Sequence, residues 1–321
     1  MSIIVVKKHY TDKEMENRLG DIPTELDYDR VISTNADIID VDAGKTIACF
    51  RSKVVRVGAE RSARDFQEAV KNHAKKLHEN RGVASGKLNY DKLAPHARDK
   101  LVDKKVFRAT YRLKNGQVSK TSTTNQSQSN IIGFYDKKDR NDYLSTTPCR
   151  LTMFNKKWPE KFEKCLPWLQ QLSAKYKKIL PGQYKICKDR CDLTPDYTIP
   201  ETCFTTVTVN YSFETALHYD RGDFGYAMLS VVKDKSNPNE YTGCLLVFPQ
   251  YRIAFDIQEG DMLVADTHNI MHGNTEFKPV GEISGNFSER EIKNHWCFNR
   301  ISMVGFVREG MKECAQNKKK I

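Results

Sequence analysis

The chain has 321 residues, with 52 Lys/Arg against 41 Asp/Glu and a formal net charge of +11. Its 39% of hydrophobic residues and mean hydropathy of −0.63 exclude both a membrane protein and a fully disordered chain. No stretch approaches the roughly 20 apolar residues of a membrane span, and a chain this long buries about 75% of its unfolded surface, enough to fold without a disulfide or metal staple. The opening MSIIVVKKHY holds a short apolar run, too brief for a secretory signal. Nine scattered cysteines, an odd number, predict reduced thiols and a cytoplasmic or nuclear compartment rather than secretion. Cys187 and Cys191, in CKDRC, are the one close pair. With no second Cys/His pair at zinc spacing, they read as two unrelated thiols.

Residues 1–60 read as an α+β extension of uncertain structure, with nine Lys/Arg and eleven Asp/Glu. Residues 61–120 differ, with sixteen basic residues against six acidic ones, so nearly all the excess charge lies there. Tyr90, Phe107 and Tyr111 are interleaved with these cations. Cations beside aromatic rings suit a polyanion with stackable bases, and residues 61–145 are read as a basic lobe that packs on the core and contacts nucleic acid. The plainer reading of Arg61 to Arg81 alone is a solvated helix face.

A helix is predicted over 62–80, with Ser62 and Asp65 as a capping pair and Phe66, Val70, His73 and Leu77 on one face. Asn80-Arg81-Gly82 stops it. The polar run SKTSTTNQSQSN (119–130) predicts an exposed loop or linker. A second helix is predicted over 159–178, started by Pro159 and broken or restarted at Pro167, with Phe162, Leu166, Leu169, Leu172 and Tyr176 as its apolar stripe.

After residue 200 short β-rich runs follow one another: FTTVTVN (204–210), YAMLSVV (226–232), CLLVFP (244–249), MLVAD (262–266) and RISMVGFV (300–307). Turn residues separate them, which predicts a sandwich or jelly roll rather than βαβ units. Residues 146–321 are therefore read as a β-rich core.

His218 and Asp220 form an H-x-D. On a strand, residues two apart face one side, so both can grip one ion. His272, in MHGN, follows Asp220 after 51 intervening residues. Two histidines and one carboxylate make the facial triad of non-haem Fe(II) oxygenases, which leaves positions open for a cosubstrate and O2. His268 competes for the third place, but the glycine after His272 suits a tight turn beside a metal, and His268 reads as a hydrogen-bonding neighbour. Arg300 opens a strand, where a buried guanidinium forks onto a carboxylate. His9, His73, His78, His96 and His295 read as surface residues.

The run FTTVTVNYSFETALHYDRGD, with GCLLVFPQYRIAFDIQEGDMLVADTHNIMHGN and NRISMVGFVREGM, resembles the TET/JBP family of 2-oxoglutarate- and Fe(II)-dependent dioxygenases, most closely its compact phage and protist members. The match is dense from about 200 to 309 and thinner at RGVASG (81–86), SNIIGFYD (129–136) and PCRLTMF (148–154). The resemblance implies an α+β fold with a double-stranded β-helix (jelly roll, cupin-like) core and flanking N-terminal helices. It implies Fe(II) on His218, Asp220 and His272, and Arg300 on the distal carboxylate of 2-oxoglutarate. It further implies that Asp223 and Asn130 meet the edge of a flipped base, that Phe306 stacks on it, and that Arg308 supplies a polar contact.

The implied reaction on DNA converts 5-methylcytosine to 5-hydroxymethylcytosine, with or without further oxidation. Asp223 favours cytosine because it can accept from the 4-amino group; the alternative is thymine to 5-hydroxymethyluracil. Other readings are a DNA-binding module with a vestigial iron site, and an oxygenase acting on protein side chains or N-alkylated bases. Without the resemblance, Phe306 is a strand-core aromatic, Asp223 a turn residue and Arg308 a surface charge. A monomer is the default for a DNA enzyme of this size. Two departures from the family stand out: the insert GEISGNFSEREIKN before Arg300, and Glu214 where a basic residue is expected.

Overall fold

A computed structural model describes residues 1–55, 61–79, 81–90, 93, 100–136 and 149–317. The chain forms three layers. The central layer is a nine-stranded sheet in the order Ser2–Val6, Ala36–Asp40, Lys45–Arg51, Met262–Ala265, Asp223–Lys233, Arg300–Arg308, Thr206–Tyr211, Ser129–Tyr135, Arg150–Leu151. A four-stranded sheet of Gly273–Asn274, Leu246–Phe248, Ile253–Phe255 and Arg30–Ile32 covers one face. Helices Arg61–Ala74, Pro159–Ile179 and Pro181–Asp192 cover the other. The two sheets make the double-stranded β-helix. Apolar side chains of both inner faces, Phe50, Leu263, Phe248 and Phe255 among them, are buried together between them. A second core, with Phe66, Trp168, Leu172, Tyr176 and Phe204, joins the helices to the large sheet. Burying each such side chain stabilises by roughly 1.5–3 kcal/mol.

The five β-rich runs after residue 200 are all strands. The N-terminal extension, where the sequence offered no pattern, supplies strands to both sheets. Ser2–Val6 and Ala36–Asp40 pair in parallel at the edge of the large sheet, and Arg30–Ile32 pairs in parallel with Ile253–Phe255. These strands are three to seven residues long, too short for periodicity to reveal.

Three local expectations fail for physical reasons. The first helix spans Arg61–Ala74; Leu77 lies beyond it, and Asn80 lies outside the described residues. Pro167 does not break the second helix, which runs unbroken over Pro159–Ile179. The proline sits on its exposed face, where the Glu163 carbonyl it leaves unpaired can bond to water. The polar run 119–130 is not an exposed loop. Val118–Thr123 and Ser129–Tyr135 are strands, and Thr123, Asn125, Ser127 and Ser129 are buried. Polar side chains are tolerated there because they replace water with protein partners: Asn125 Nδ2 donates to the carbonyls of Ser85 at 2.7 Å and Lys87 at 2.8 Å, and Thr123 Oγ1 donates to Glu79 at 2.7 Å.

Cys149 and Cys314 form a disulfide across 165 residues, correcting the expectation that every thiol is reduced. Cys187 and Cys191 are free and buried one turn apart on the face of their helix that meets the core, as unrelated thiols would be. Among the described residues no helix is long and apolar enough to cross a membrane.

Candidate active site

His218 and His272 stand opposite each other as an isolated antiparallel bridge. Each backbone N–H donates to the other's carbonyl, at 2.9 and 3.0 Å. Each imidazole is oriented from behind: His218 Nδ1 lies 2.7 Å from the Ala216 carbonyl, and His272 Nδ1 lies 3.0 Å from that of Ile270. A ring that donates from Nδ1 leaves Nε2 as a lone-pair donor, the state a metal requires. The two Nε2 atoms each lie 3.4 Å from an oxygen of Asp220. The ligand atoms of the three residues fall within 4.8 Å of one another. Burial opposes ionisation of Asp220, but His272 and His218 outweigh it and hold the carboxyl well below the usual carboxylate range. In turn Asp220 outweighs burial at His272 and moves that imidazole's pKa up. His268 does not join them; its Nδ1 faces the Asp220 carbonyl at 3.3 Å.

The three residues line a cleft of about 1200 Å³. Arg300 lies in the same cleft, 5% exposed, with its Nη1 donating to Tyr241 Oη at 3.1 Å and the Ile257 carbonyl at 2.7 Å. No carboxylate pairs with it among the described residues. A buried cation without a counter-ion is costly, and an anionic ligand relieves that cost.

Asp223, Phe306, Arg308 and Asn130 also line the cleft, so all eight residues singled out from the sequence converge on it. Asp223 and Arg308 face each other across paired strands. Burial, then the charge of Asp220, pushes the Asp223 carboxyl well above the usual range, against the pull of Arg308 and Arg81. Phe306 is 6% exposed, at the register position opposite Thr206. Arg308 Nε donates to Asp136 at 2.7 Å, and its guanidinium lies 4.7 Å from the centre of the Tyr135 ring. Asn130 Nδ2 donates to the Lys76 carbonyl at 2.7 Å, just past the end of the first helix.

Sequence reasoning passed over Arg81. Its guanidinium lines the cleft within the fields of Asp220 and Asp223, and its Nε is buried without a hydrogen-bond partner. Burial brings its pKa down to about 10. Its place at the head of RGVASG was the available signal. The surface expectation fails for three histidines. His73 and His78 line the cleft, and burial lowers the His73 pKa to about 4. His295 Nδ1 meets Glu214 at 2.6 Å. Glu214 also accepts the Phe277 N–H at 2.6 Å, so this unexpected acid pins the segment around the insert. His96 lies outside the described residues.

Two imidazoles and one carboxylate around a common point, with one side open, inside a double-stranded β-helix, define the class of the non-haem Fe(II) oxygenases. Residues 130–309 match the Tet_JBP family, described as the oxygenase domain of the 2OGFeDO superfamily, and the chain belongs to that family.

It is 34% identical over 190 residues to the bifunctional helicase and thymine dioxygenase JBP2 of Trypanosoma cruzi, which is 57% of this chain and 15% of that protein. It is 34% identical over 188 residues to the thymine dioxygenase JBP1 of Trypanosoma brucei brucei, 58% of this chain and 20% of that protein. The chain thus corresponds to a fifth or less of the length of these curated relatives. A solved structure of NgTET1 in complex with 5mC DNA aligns over 97% of this chain and 98% of that one, at 12% identity and a TM-score of 0.49.

Proposed function

We infer that the chain hydroxylates the 5-methyl group of a pyrimidine in DNA, using 2-oxoglutarate and O2, with 5-methylcytosine becoming 5-hydroxymethylcytosine. The observation that carries this is the shared cleft: a His-Asp-His triad, a buried arginine that no carboxylate pairs with among the described residues, and an aromatic ring line one space of about 1200 Å³. The donor set fits Fe(II), which would be held by His218, Asp220 and His272 and would couple decarboxylation of 2-oxoglutarate by O2 to oxidation of an unactivated C–H bond.

The remaining work belongs to the chain. The Ala216 and Ile270 carbonyls keep both imidazoles in the ligating tautomer. Arg300 binds the distal carboxylate of 2-oxoglutarate and so fixes the cosubstrate's orientation. A methyl group in the major groove of a duplex cannot reach a triad at the bottom of a cleft, so the nucleotide must be flipped, at a cost of a few kcal/mol. Stacking on Phe306 returns roughly 1–3 kcal/mol of it. Asp223 and Asn130 meet the base edge, Arg308 adds a polar contact, and the basic lobe of residues 61–145 holds flanking phosphates.

An ionised Asp223 accepts from the cytosine 4-amino group and so favours cytosine, whereas the protonated form, toward which burial and Asp220 push it, also carries an O–H that can donate to the O4 of thymine. The second reading, thymine to 5-hydroxymethyluracil, is favoured by the curated relatives, which are named thymine dioxygenases. The test is mass spectrometry of nucleosides from methylated DNA incubated with the protein, Fe(II) and 2-oxoglutarate. 5-Hydroxymethyl-2′-deoxycytidine is the expected product. Hydroxylated thymidine beside untouched methylcytosine would transfer the assignment to thymine, and no oxidised nucleoside at all would remove the function.

A further inference from the structure

A second site lies apart from the cleft, on a small sheet. Strands Leu101–Lys104, Ala109–Arg112 and Val118–Thr123 form a three-stranded antiparallel meander. Thr110 pairs with Ser122, and Lys120 precedes Ser122 by two residues. The pairing slips between Thr110 and Arg112, yet Thr110, Lys120 and Ser122 line one cleft while Ala109, Ser119 and Thr123 are buried. Lys105 and Arg108, at the turn between the first two strands, complete a cleft of about 210 Å³ with no acidic side chain among its lining residues. Arg108 and Lys120 form no ion pair among the described residues. Thr110 Oγ1 is buried at the wall with no hydrogen-bond partner. Exposed cations usually draw acids toward them; here three cations and two hydroxyls converge, and among the described residues no acid pairs with Arg108 or Lys120.

The sheet is also tied to the metal end of the molecule. Phe107, in the same turn, packs so closely over Gly20 that any Cβ there would overlap its ring, and Gly20 has φ +80°. The Gly20 N–H donates to the carbonyl of Leu217 at 2.9 Å, one residue before His218.

We propose that Lys105, Arg108, Lys120, Thr110 and Ser122 form a docking site for a backbone phosphodiester of DNA, outside the pocket that takes the target base. The proposal rests on the DNA reading above. A phosphodiester supplies a counter-charge for Arg108 and Lys120 and can accept from the Ser122 hydroxyl, and the link through Phe107 holds the site in fixed relation to the triad.

The test is fluorescence anisotropy of a labelled duplex across a salt titration, without metal or 2-oxoglutarate, for the parent and for the combined variant Lys105→Ala, Arg108→Ala, Lys120→Ala. The variant is expected to bind about tenfold more weakly at moderate salt, with a log–log salt slope shallower by about 1 to 2. The charge-keeping variant Arg108→Lys, Lys120→Arg restores most of both. Turnover of an oligonucleotide too short to reach the sheet stays at the parent rate. Unchanged affinity and slope overturn the proposal, as does equal loss of turnover on the short substrate, which would mark the residues as structural. Tight binding of inorganic phosphate alone at this sheet, with DNA affinity unaffected by the triple variant, would reassign the site to a free anion. If the parent oxidises no DNA yet loses duplex affinity with the three cations, the hydroxylase reading falls and the docking site stands.

Discussion

Residues 200–309 and residues 61–136 both contribute to the cleft, by opposite means. In the first region the backbone positions the side chains: the loop carbonyls of Ala216 and Ile270 orient the two imidazoles, and a backbone bridge fixes their separation. In the second, side chains position the backbone. Asn125 gathers the carbonyls of Ser85 and Lys87 and accepts the Asn89 N–H at 2.8 Å, and the Asn130 amide ties the Ser129–Tyr135 strand to the end of the first helix. The difference teaches that a functional side chain in the jelly roll can be removed at the expense of chemistry alone, whereas a polar side chain in the basic half holds up the fold itself.

Three changes break or sharpen that contrast. Asp220→Ala carries the largest effect. Losing a metal ligand forfeits several kcal/mol at the reacting centre, so succinate release with DNA should fall about 1000-fold or more while the metal-free protein stays folded. Equal rates for parent and variant would show that the triad does no catalysis, and a collapsed fold would erase the contrast. Asn125→Ala should do the reverse. It strands buried carbonyls and an N–H, with a loss of about 3 kcal/mol in chemical denaturation and turnover per folded molecule retained.

The smallest effect is a pH dependence at the seam between the regions. Asp234 accepts from Lys75 and from Tyr211, both at 2.9 Å, and from Gln67 at 3.3 Å, joining the first helix to the large sheet. Burial opposes its charge, but Ser236, Lys75 and Tyr211 prevail and bring its pKa from 3.8 to about 2. A depressed carboxyl stabilises the fold fully above its unfolded value, and that contribution is lost as pH falls from about 4 to about 2. The stake is about 2 kcal/mol. Denaturation of Asp234→Asn should lack this acid limb, and an unchanged limb would assign it to other groups.

What was legible in the sequence follows the same division. H-x-D, the distant His-Gly and the strand-opening arginine could be read because chemistry dictates residue types, and the β-rich runs could be read because those strands are mostly buried and rich in β-branched and apolar residues. The buried polar strand near Thr123 and Asn125 could not, since composition reports polarity and not whether a partner is waiting. Arg81 was invisible for a related reason: only the folded chain reveals that its neighbours are acids and its Nε has no acceptor. The short N-terminal strands were hidden because their pairing is set by partners elsewhere in the chain, as with Ser2–Val6 beside Ala36–Asp40 and Arg30–Ile32 beside Ile253–Phe255, more than two hundred residues away.

The reciprocal amide bonds between His218 and His272 carry one more implication. Gathering scattered donors around an ion ordinarily demands an entropic sacrifice at the moment of capture. Here two of the three donors are already clasped by their own main chain, so the sacrifice is made when the barrel closes and an arriving ion meets a finished socket. Loading should therefore be fast and leave the surrounding strands undisturbed, and the two clasped amides should resist solvent exchange as firmly without the ion as with it.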